Sequence, residues 1–361
     1  MTDATSAEVL DLETVAPPSL PDGAVLSVRD LKVEFPTDDG VVKAVDGISF
    51  DVFENEVLGI VGESGSGKSV TSMAALGLLP RYAKISGAVY LRGQNLLGLH
   101  EKELQKLRGE EIAMVFQDAL ASLNPVYTVG NQIAEAITTH HDRSKSEVRE
   151  RVVELLDLVG IPSPKERADQ YPHEFSGGMR QRAMIAMTIA NDPQVLIADE
   201  PTTALDVTIQ AQVLEVLERI QDRTRSAIIL ITHDLGVVAG MADRVLVMYA
   251  GRQAEMSSVD NIFYEPCHPY TRGLLASLPR LDVGSEGEPL FRIKGQPPSL
   301  IHVPSGCPFH PRCEHANVPG PCDTERPEFR MVGSASTHFA ACHYAETFLD
   351  VALPTGDEVT S

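Results

Sequence analysis

The first group of residues able to do chemistry is a glycine-rich loop that carries one lysine. Residues 62–69 read Gly-Glu-Ser-Gly-Ser-Gly-Lys-Ser and fit the phosphate-binding loop pattern G-x-x-x-x-G-K-[ST] at every position. Glycines let the backbone wrap tightly, so amides at the start of a following helix can point at a phosphate. Lys68 is then placed to reach the β- and γ-phosphates of a nucleotide, and Ser69 to ligate Mg2+. The residues expected at the phosphates are Gly62, Ser64, Gly65, Ser66, Gly67, Lys68, Ser69 and Val70.

Two adjacent carboxylates form the second group. Asp199 and Glu200 follow directly after the apolar run 195–198. Asp199 is expected to hold magnesium, directly or through water, while Glu200 is placed to polarise a water for attack on the γ-phosphate. Such pairs are often merely solvated, but after a buried strand in a chain with a phosphate loop they indicate hydrolysis. The pair therefore argues against a kinase.

The elements that must position these groups predict an α/β fold. Short apolar runs at 57–61, 195–198 and 227–231 are typical of buried parallel strands. Residues 209–220 have helical spacing between the last two runs, which is the alternation of a parallel sheet with crossover helices. A helix is expected from Ser69 to Leu79, and this context disfavours the alternative of a mobile Gly/Ser loop.

Segments before and between the motifs predict two further regions. Residues 26–29, 41–45 and 47–52 have strand-like patterns, so the folded part starts with β structure. Residues 144–159 have helical apolar spacing, and their start fits a capping box. A helical insertion therefore separates the glycine-rich loop from the later motifs.

The composition limits the classes of protein to which the chain can belong. With 361 residues, 43 % of them hydrophobic, it can form about two domains with real cores. Its 30 basic and 51 acidic residues give a formal net charge of -21, which disfavours attraction to nucleic acid or anionic lipid. No apolar run approaches the ~20 residues of a membrane span, and the acidic start lacks a secretory signal. We expect a cytosolic chain with a disordered leader at residues 1–23.

A third motif carries a family resemblance. The run Phe-Ser-Gly-Gly-Met-Arg-Gln-Arg just before the carboxylate strand resembles the signature sequence of ATP-binding cassette ATPases. Its residues Ser176, Gly177 and Gly178 offer a hydroxyl and free amides to a γ-phosphate. In that family the signature faces the phosphate loop of a partner subunit, so two ATP molecules lie between two cassettes. Phe175 stands where many cassettes carry leucine and Met179 where many carry glutamine, but the serine-glycine core is intact.

The resemblance also implies roles for single residues. Gln117 resembles the glutamine that approaches magnesium and connects the nucleotide to the membrane subunits through the helical subdomain. Asp206 lies in a loop similar to the one that crosses the dimer interface, and His233 resembles the histidine that contacts the γ-phosphate. Phe35, at the end of the first predicted strand, matches the aromatic residue that stacks on adenine. With ATP and Mg2+ as cofactors, the expected catalytic residues are Glu200, His233 and Gln117, and the expected magnesium ligands are Ser69, Gln117 and Asp199.

The fold class that the resemblance implies is α/β, a P-loop ABC ATPase. It has a RecA-like parallel-sheet core, an antiparallel β subdomain and a helical subdomain at about 118–185. The motifs place this cassette at residues 24–258. Beyond it the composition changes to Pro, Gly, His and Cys, so we expect a domain boundary, a C-terminal extension at 259–345 and a flexible tail at 346–361.

The expected extension carries a subfamily resemblance. The runs Glu-Pro-Cys-His-Pro-Tyr-Thr at 265–271 and Gly-Gln-Pro-Pro-Ser-Leu at 295–300 resemble the C-terminal extension of oligopeptide and dipeptide importer ATPases. Residues 122–125 and 201–208 are similar to that subfamily too. The resemblance implies an ATP-hydrolysing subunit at the cytoplasmic face of the inner membrane that powers peptide import. The implied partners are two transmembrane permease subunits, a second, non-identical ABC ATPase and, indirectly, an extracytoplasmic substrate-binding protein.

Two alternatives stay open at this point. Nickel importers and some importers of other solutes share these motifs, so the cargo follows from resemblance alone. A soluble cassette ATPase acting on DNA or ribosomes is a different class, and such proteins usually carry two fused cassettes or long insertions. The single cassette and the acidic charge disfavour that class, and no nucleic-acid partner is expected.

Four cysteines in the extension predict an inorganic centre. They are Cys307, Cys313, Cys322 and Cys342, separated by 5, 8 and 19 residues. A cytosolic context disfavours disulfides, and the Pro/Gly-rich segment has little apolar content from which to build a core. The segment resembles the tails that hold a [4Fe-4S] cluster in some peptide importers. Zinc and free structural thiols remain alternatives, although the C-x2-C pairs typical of zinc ribbons are absent. Cys267 is expected to be a free thiol.

Overall fold

The chain folds around two β-sheets flanked by helices. The computed structural model describes residues 20–117, 122–203, 206–278, 291–333, 337–349, 351 and 353. The strands, in chain order, are β1 (Ala24–Thr37), β2 (Gly40–Phe53), β3 (Val57–Val61), β4 (Lys84–Leu91), β5 (Gln94–Asn95), β6 (Ile112–Val115), β7 (Val195–Asp199), β8 (Ala227–Thr232), β9 (Arg244–Tyr249), β10 (Arg252–Ser258), β11 (Arg330–Met331) and β12 (Phe339–Ala340).

The helices lie between and after these strands. The α-helices are α1 (Lys68–Ala75), α2 (Glu101–Leu107), α3 (Val129–Thr138), α4 (Lys145–Leu158), α5 (Pro164–Arg167), α6 (Gly177–Thr188), α7 (Val207–Thr224), α8 (Leu235–Met241), α9 (Val259–Tyr264), α10 (Pro269–Ala276) and α11 (Pro321–Thr324). Short 3-10 helices span Pro172–Glu174, His310–Arg312 and Ala345–Phe348. Within the described ranges, no helix is both long and apolar enough to cross a bilayer.

The larger sheet contains the predicted parallel core. Its strand order is β11-β12-β10-β9-β3-β8-β7-β6, and the strands from β9 to β6 in this order run parallel. The smaller sheet is antiparallel, with the order β2-β1-β4-β5. The ends of β3, β7 and β8 therefore meet at one edge, where the motifs identified in the sequence follow them.

The parallel strands are buried on both faces. In β7, Leu196 and Ala198 join the core formed with the helices, while Val195 and Ile197 join the core shared with the antiparallel sheet. Because each face has its own apolar partner, the strand is a continuous apolar run. This is the pattern on which the prediction of the strand rested.

The two strands predicted at 41–45 and 47–52 form one strand, β2. Its pairing with β1 shifts register between Asp46 and Ile48, which leaves Gly47 as an extra residue in a β-bulge. Gly47 has a φ of 82°, which glycine adopts without a side-chain clash. The bulge absorbs the irregularity, so the strand does not end there.

The helix predicted to reach Leu79 ends four residues earlier, at Ala75. Gly77 takes a left-handed φ of 63°. The Leu78 amide donates to the Met73 carbonyl at 2.9 Å and the Gly77 amide to the Ala74 carbonyl at 3.0 Å, which is a Schellman motif. Apolar residues continue past the glycine, but the backbone has already left the helix.

The predicted helical insertion is confirmed in α4. The Glu147 amide donates to Ser144 Oγ at 3.3 Å, and the Ser144 amide donates to the Glu147 carboxylate at 2.8 Å. This is the capping box expected at its start. Helices α3, α4 and α6 pack on one another between the glycine-rich loop and β7 in the chain.

The boundary predicted near residue 258 coincides with the end of β10, yet the extension is not a separate body. Strand β12 pairs with β10, with Glu255 opposite Ala340, and β11 pairs with β12. The extension therefore adds two short strands to the edge of the cassette sheet.

The prediction of a flexible tail from residue 346 is wrong for its first residues. Phe348 is buried, with its ring centre 5.0 Å from the His315 ring and 5.5 Å from the Arg272 guanidinium carbon. These contacts hold the segment to the extension, and they join residues too far apart in sequence to form a local pattern. Most of the remaining tail, like residues 1–19 of the predicted leader, lies outside the described residues.

Candidate active site

The glycine-rich loop joins β3 to α1, which is the predicted context. Gly62 and Gly67 adopt φ values of 154° and 100°. A Cβ on Gly62 would lie 2.2 Å from the Met248 carbonyl oxygen, and one on Gly67 would lie 2.3 Å from the Ala44 carbonyl oxygen. Both positions therefore exclude a side chain, because the loop backbone packs directly on its neighbours.

The Lys68 ammonium lies over the loop. Its Nζ donates to the carbonyl oxygens of Gly62 at 2.8 Å and Glu63 at 3.1 Å. Burial lowers the pKa of Lys68, and the nearby Glu200 and Asp199 carboxylates oppose that shift. Among the described residues, carbonyl oxygens accept the hydrogen bonds of this buried cation, which leaves its charge available to an anion that enters the loop.

Asp199 and Ser69 come together at the end of β7. The Ser69 hydroxyl donates to Asp199 Oδ1 at 2.9 Å. Burial raises the pKa of Asp199; the Ser69 hydrogen bond lowers it and the Glu200 charge raises it further. Hydroxyl and carboxylate oxygens are the hard ligands that Mg2+ prefers. The donor set therefore fits the predicted metal.

The other two predicted catalytic side chains, Gln117 and His233, converge on Glu200. Gln117 Nε2 donates to Glu200 Oε2 at 3.0 Å, and His233 Nδ1 lies 3.7 Å from Oε1. Glu200 has a left-handed φ of 48°, a strained conformation for a residue with a side chain. Thr203, which was not predicted, donates its hydroxyl to Glu200 Oε2 at 2.8 Å. Its position three residues after the carboxylate was the available signal.

Many of the predicted site residues line one cavity of about 490 Å3, although Gly62 and Asp199 do not. All the described residues that line it were predicted: Ser64, Gly65, Ser66, Gly67, Lys68, Ser69, Val70, Gln117, Glu200 and His233. Within the part of the chain that the structure describes, the buried Ser66 Oγ has no hydrogen-bond partner. That hydroxyl is thus available to a ligand in the loop.

A second group of predicted residues lies outside this cavity. Ser176 is the N-cap of α6 and Asp206 the N-cap of α7, and both are exposed. Gly178 packs on Ile209, where a Cβ would lie 2.7 Å from Cγ2, while a Cβ on Gly177 would meet no neighbouring atom. The signature residues therefore lie beside Asp206, because the start of α6 packs on the start of α7. Neither group lines the cavity at the glycine-rich loop of its own chain.

Phe35 does not line the cavity either. Its ring contacts Tyr82 edge-on, with 6.1 Å between ring centres. Tyr82 is 64 % exposed and was not predicted. Stacking of adenine on Phe35 stays a prediction.

The four cysteines of the extension are free thiols; Cys322 is buried and the other three are partly buried. The Cys307 amide donates to the Cys322 carbonyl at 2.9 Å. Burial, and then the charges of the other thiols, raise the pKa values of Cys313 and Cys342 to about 12. Sulfur atoms around one zinc ion lie roughly 3.8 Å apart, given Zn–S bonds of about 2.3 Å. The four thiols are spread more widely than that, since no three of them lie within 4.8 Å of one another.

The compact group of possible metal ligands in the described residues is a different one. Its members are Glu255, Cys267 and His338, all buried, with their ligand atoms within 4.8 Å of one another. Cys267 Sγ lies 3.1 Å from Glu255 Oε1 and 3.2 Å from His338 Nε2. Cys267, which was expected to be a free thiol, is packed into this hydrogen-bonded cluster.

Proteins similar to this chain are ATP-binding subunits of bacterial transporters. The chain is 51 % identical over 335 residues to the dipeptide transport ATP-binding protein DppD of Bacillus subtilis, covering 92 % of this chain and 98 % of that protein. The chain belongs to the ABC transporter ATPase family. This ABC ATPase is also 53 % identical over 293 residues to the oligopeptide transport ATP-binding protein OppD of Escherichia coli, covering 81 % of this chain and 86 % of OppD.

Family profiles and solved structures agree with this assignment. Residues 45–203 match the family described as ABC transporter, and residues 254–319 match the oligopeptide/dipeptide transporter C-terminal region. A dimeric ATP-binding cassette, MJ0796 in a post-hydrolysis state with ADP and Pi, is similar with a TM-score of 0.58 and 25 % identity. That match covers 65 % of this chain and 98 % of the cassette. The predicted fold class, an α/β ABC ATPase, is confirmed.

Proposed function

We propose that this ABC ATPase powers the import of di- and oligopeptides by hydrolysing ATP at the cavity between the glycine-rich loop and Glu200. The observation that carries the proposal is the convergence of Gln117, Glu200 and His233 on the cavity that Lys68 also lines. Its cargo is supported by the match of residues 254–319 to the C-terminal region of oligopeptide/dipeptide transporters.

In this proposal the loop amides, the Ser66 hydroxyl and Lys68 bind the phosphates of ATP. Ser69, Asp199 and Gln117 would hold Mg2+, which would supply positive charge at the phosphates. Phe35 stacks on the adenine.

Glu200 acts as the general base. It accepts a proton from the attacking water as the new bond to the γ-phosphorus forms and the bond to the ADP oxygen breaks. Gln117 and Thr203 both donate hydrogen bonds to Glu200 Oε2 and so orient the carboxylate. The other oxygen, Oε1, then faces His233. His233 then contacts the γ-phosphate.

The second group of residues acts on a different ATP molecule. Ser176, Gly177 and Asp206 are exposed and separate from the cavity of their own chain, which supports contact with ATP held by a partner cassette. Two cassettes thus close on two ATP molecules, and hydrolysis reopens them. We propose that the partner is a second, non-identical ABC ATPase.

The membrane partners are two permease subunits, which dock on an apolar cavity next to Gln117. This cavity has a volume of about 720 Å3 and includes Leu78, Phe116 and Met187. Phe116 is 44 % exposed and directly precedes Gln117. A permease helix that displaces Phe116 would therefore also move Gln117 at the nucleotide. The chain would then lie at the cytoplasmic face of the inner membrane, and an extracytoplasmic binding protein would deliver the peptide to the permeases.

We further propose that Cys307, Cys313, Cys322 and Cys342 hold a [4Fe-4S] cluster. Support comes from four thiols in one extension whose sulfurs are spread more widely than one zinc ion requires. Such a centre would deprotonate the thiols and cross-link a segment with little core of its own. Anaerobically purified protein should contain iron and acid-labile sulfide at ~4 each per chain. Zinc without sulfide, or metal-free protein with an equally protease-resistant extension, would contradict it.

The function is tested by isolating the tagged chain from native membranes in mild detergent and identifying its companions. We expect two permeases and a second cassette, and uptake of labelled dipeptide that disappears in cells carrying only the Glu200→Gln variant. A ribosome or DNA as the companion would overturn the transport assignment. Uptake of nickel without uptake of peptides would overturn the cargo.

A further inference from the structure

The C-terminal extension contacts the glycine-rich loop at Glu63, the second residue of the loop. The Arg312 guanidinium donates to both carboxylate oxygens of Glu63, at 2.6 and 2.9 Å. The two residues lie 249 positions apart, and neither is among the predicted site residues. A bidentate arginine–carboxylate pair fixes the orientation of the carboxylate and also neutralises its charge.

Arg312 is itself held rigidly. Its side chain is 5 % exposed, its Nε donates to the Lys294 carbonyl at 3.0 Å and its Nη1 to the Tyr249 hydroxyl at 3.3 Å. The guanidinium carbon also lies 5.7 Å from the Tyr249 ring centre and 5.9 Å from that of Phe309. With Nε and Nη1 also bound to Lys294 and Tyr249, the guanidinium is held in one orientation towards Glu63.

A second contact from the extension holds the backbone of the same residue. The Glu63 amide donates to the hydroxyl of Tyr270, a fully buried side chain of α10, at 2.9 Å. Glu63 is therefore anchored at its amide and at its carboxylate, while its carbonyl oxygen receives Lys68 Nζ. Glu63, one of the two loop residues that accept a hydrogen bond from Lys68, is thus positioned by two residues from outside the cassette motifs.

The negative charge of Glu63 can affect nucleotide binding, so the contacts that hold this residue are relevant to the ATP site. Its carboxylate attracts the Lys68 ammonium, although less strongly than the Glu200 and Asp199 carboxylates do. It also repels a polyphosphate. In the structure the carboxylate does not line the cavity and is paired with Arg312 instead.

We propose that Arg312 is a positioning residue for the phosphate loop: it holds and neutralises the Glu63 carboxylate so that Lys68 and the loop amides are free to bind ATP. This inference rests on the proposed ATP site. It makes nucleotide affinity depend on the docked extension, whereas the chemical step at Glu200 does not involve Arg312.

The test measures the dissociation constant for MgATP on the full-length chain by calorimetry. Arg312→Met should raise it about tenfold, the effect expected when a charge-assisted pair is lost. The KM for ATP should rise in parallel, while kcat at saturating ATP stays within about twofold of wild type. Adding Glu63→Gln to Arg312→Met should restore binding to within about threefold of wild type, because the unpaired carboxylate is then gone.

Arg326 offers a matched control. It also reaches from the extension to the cassette, where it donates to the Asp46 carbonyl at 2.9 Å, but it does not contact the glycine-rich loop. Arg326→Met should bind MgATP like wild type. Tyr270→Phe removes the hydroxyl that accepts the Glu63 amide and changes no charge. It should weaken MgATP binding, and it is the variant to measure if Arg312→Met folds poorly.

Unchanged binding in folded Arg312→Met would overturn the inference, and so would failure of Glu63→Gln to rescue it, since a role confined to folding of the extension would not depend on Glu63. If Arg312→Met does not fold, wild-type affinity in Tyr270→Phe would overturn it. Wild-type protein that does not bind MgATP would overturn the ATP site itself, which is a distinct result.

Discussion

Replacing His338 with alanine should loosen the joint between the extension and the cassette. This joint consists of the pairing of β12 with β10 and the buried cluster of Glu255, Cys267 and His338. Glu255 of β10 is fully buried. Its Oε1 accepts hydrogen bonds from His338 Nε2 and from the Cys267 amide, both at 2.7 Å, and its Oε2 accepts one from the His268 amide at 3.0 Å. The variant removes a donor from a carboxylate that water does not reach while the joint is closed.

The size of the effect follows from the charge and burial of the acceptor. A hydrogen bond to a charged group contributes about 1.5–3 kcal/mol, and the cavity left by the imidazole adds roughly 1 kcal/mol. We therefore expect the free energy of opening this joint to fall by about 3 kcal/mol, which is about a hundredfold change in the opening equilibrium.

Hydrogen exchange of the β10 and β12 amides, followed by mass spectrometry, measures this opening. The His338→Ala variant should exchange about a hundredfold faster there, by the same conversion of about 3 kcal/mol. His343→Ala is the matched control, because that imidazole lies near the surface. It contacts the Glu325 carbonyl at 2.9 Å and the Tyr344 ring edge-on, with 6.4 Å between ring centres, and does not belong to the Glu255 cluster. Equal exchange in both variants and in wild type would refute the idea that the cluster fastens the extension.

Three further outcomes follow from the same geometry. Glu200→Gln should retain MgATP but lose hydrolysis by about a hundredfold or more in single-turnover assays, because an amide cannot take the proton; a wild-type rate would mean another base. Gly178→Ala should impair ATP-dependent association with the proposed partner cassette in size-exclusion chromatography, because its Cβ would lie 2.7 Å from Ile209 Cγ2, so that Ile209 or the start of α6 must move; normal association would contradict the proposed interface. Burial raises the pKa of Glu255, but hydrogen bonds from His338 and the Cys267 amide outweigh it, so the pKa lies below the ordinary 4.5. Its contribution to stability is thus complete above pH 4.5 and is lost as the pH falls through the lowered value; release of the extension well above that pH, seen by tyrosine circular dichroism, would contradict this.

The sequence predicted the parts of the site that follow directly from local pattern. The loop at residues 62–69, the carboxylates after β7 and His233 after β8 each follow a short apolar strand, so the sheet edge brings them together. The capping box of α4 is likewise a contact over three residues.

Contacts between distant parts of the chain had no comparable signal. Glu63 and Arg312 look like ordinary charged residues in sequence, and only the docked extension shows that they are partners. Glu255 and His338 are 83 residues apart, and nothing local marks either as buried. Phe348 fell in a segment expected to be flexible, because its binding surface is supplied by Arg272 and His315.

The central claim, that this chain couples ATP hydrolysis to peptide import, is tested most directly in a reconstituted complex. The chain, its permeases and partner cassette would be placed in lipid nanodiscs, and phosphate release would be measured with binding protein that is empty or loaded with dipeptide. The account predicts that loaded binding protein stimulates hydrolysis, and that Glu200→Gln in this chain strongly reduces the stimulated rate. Hydrolysis that is indifferent to dipeptide, or a stimulated rate unchanged in the Glu200→Gln complex, would contradict it.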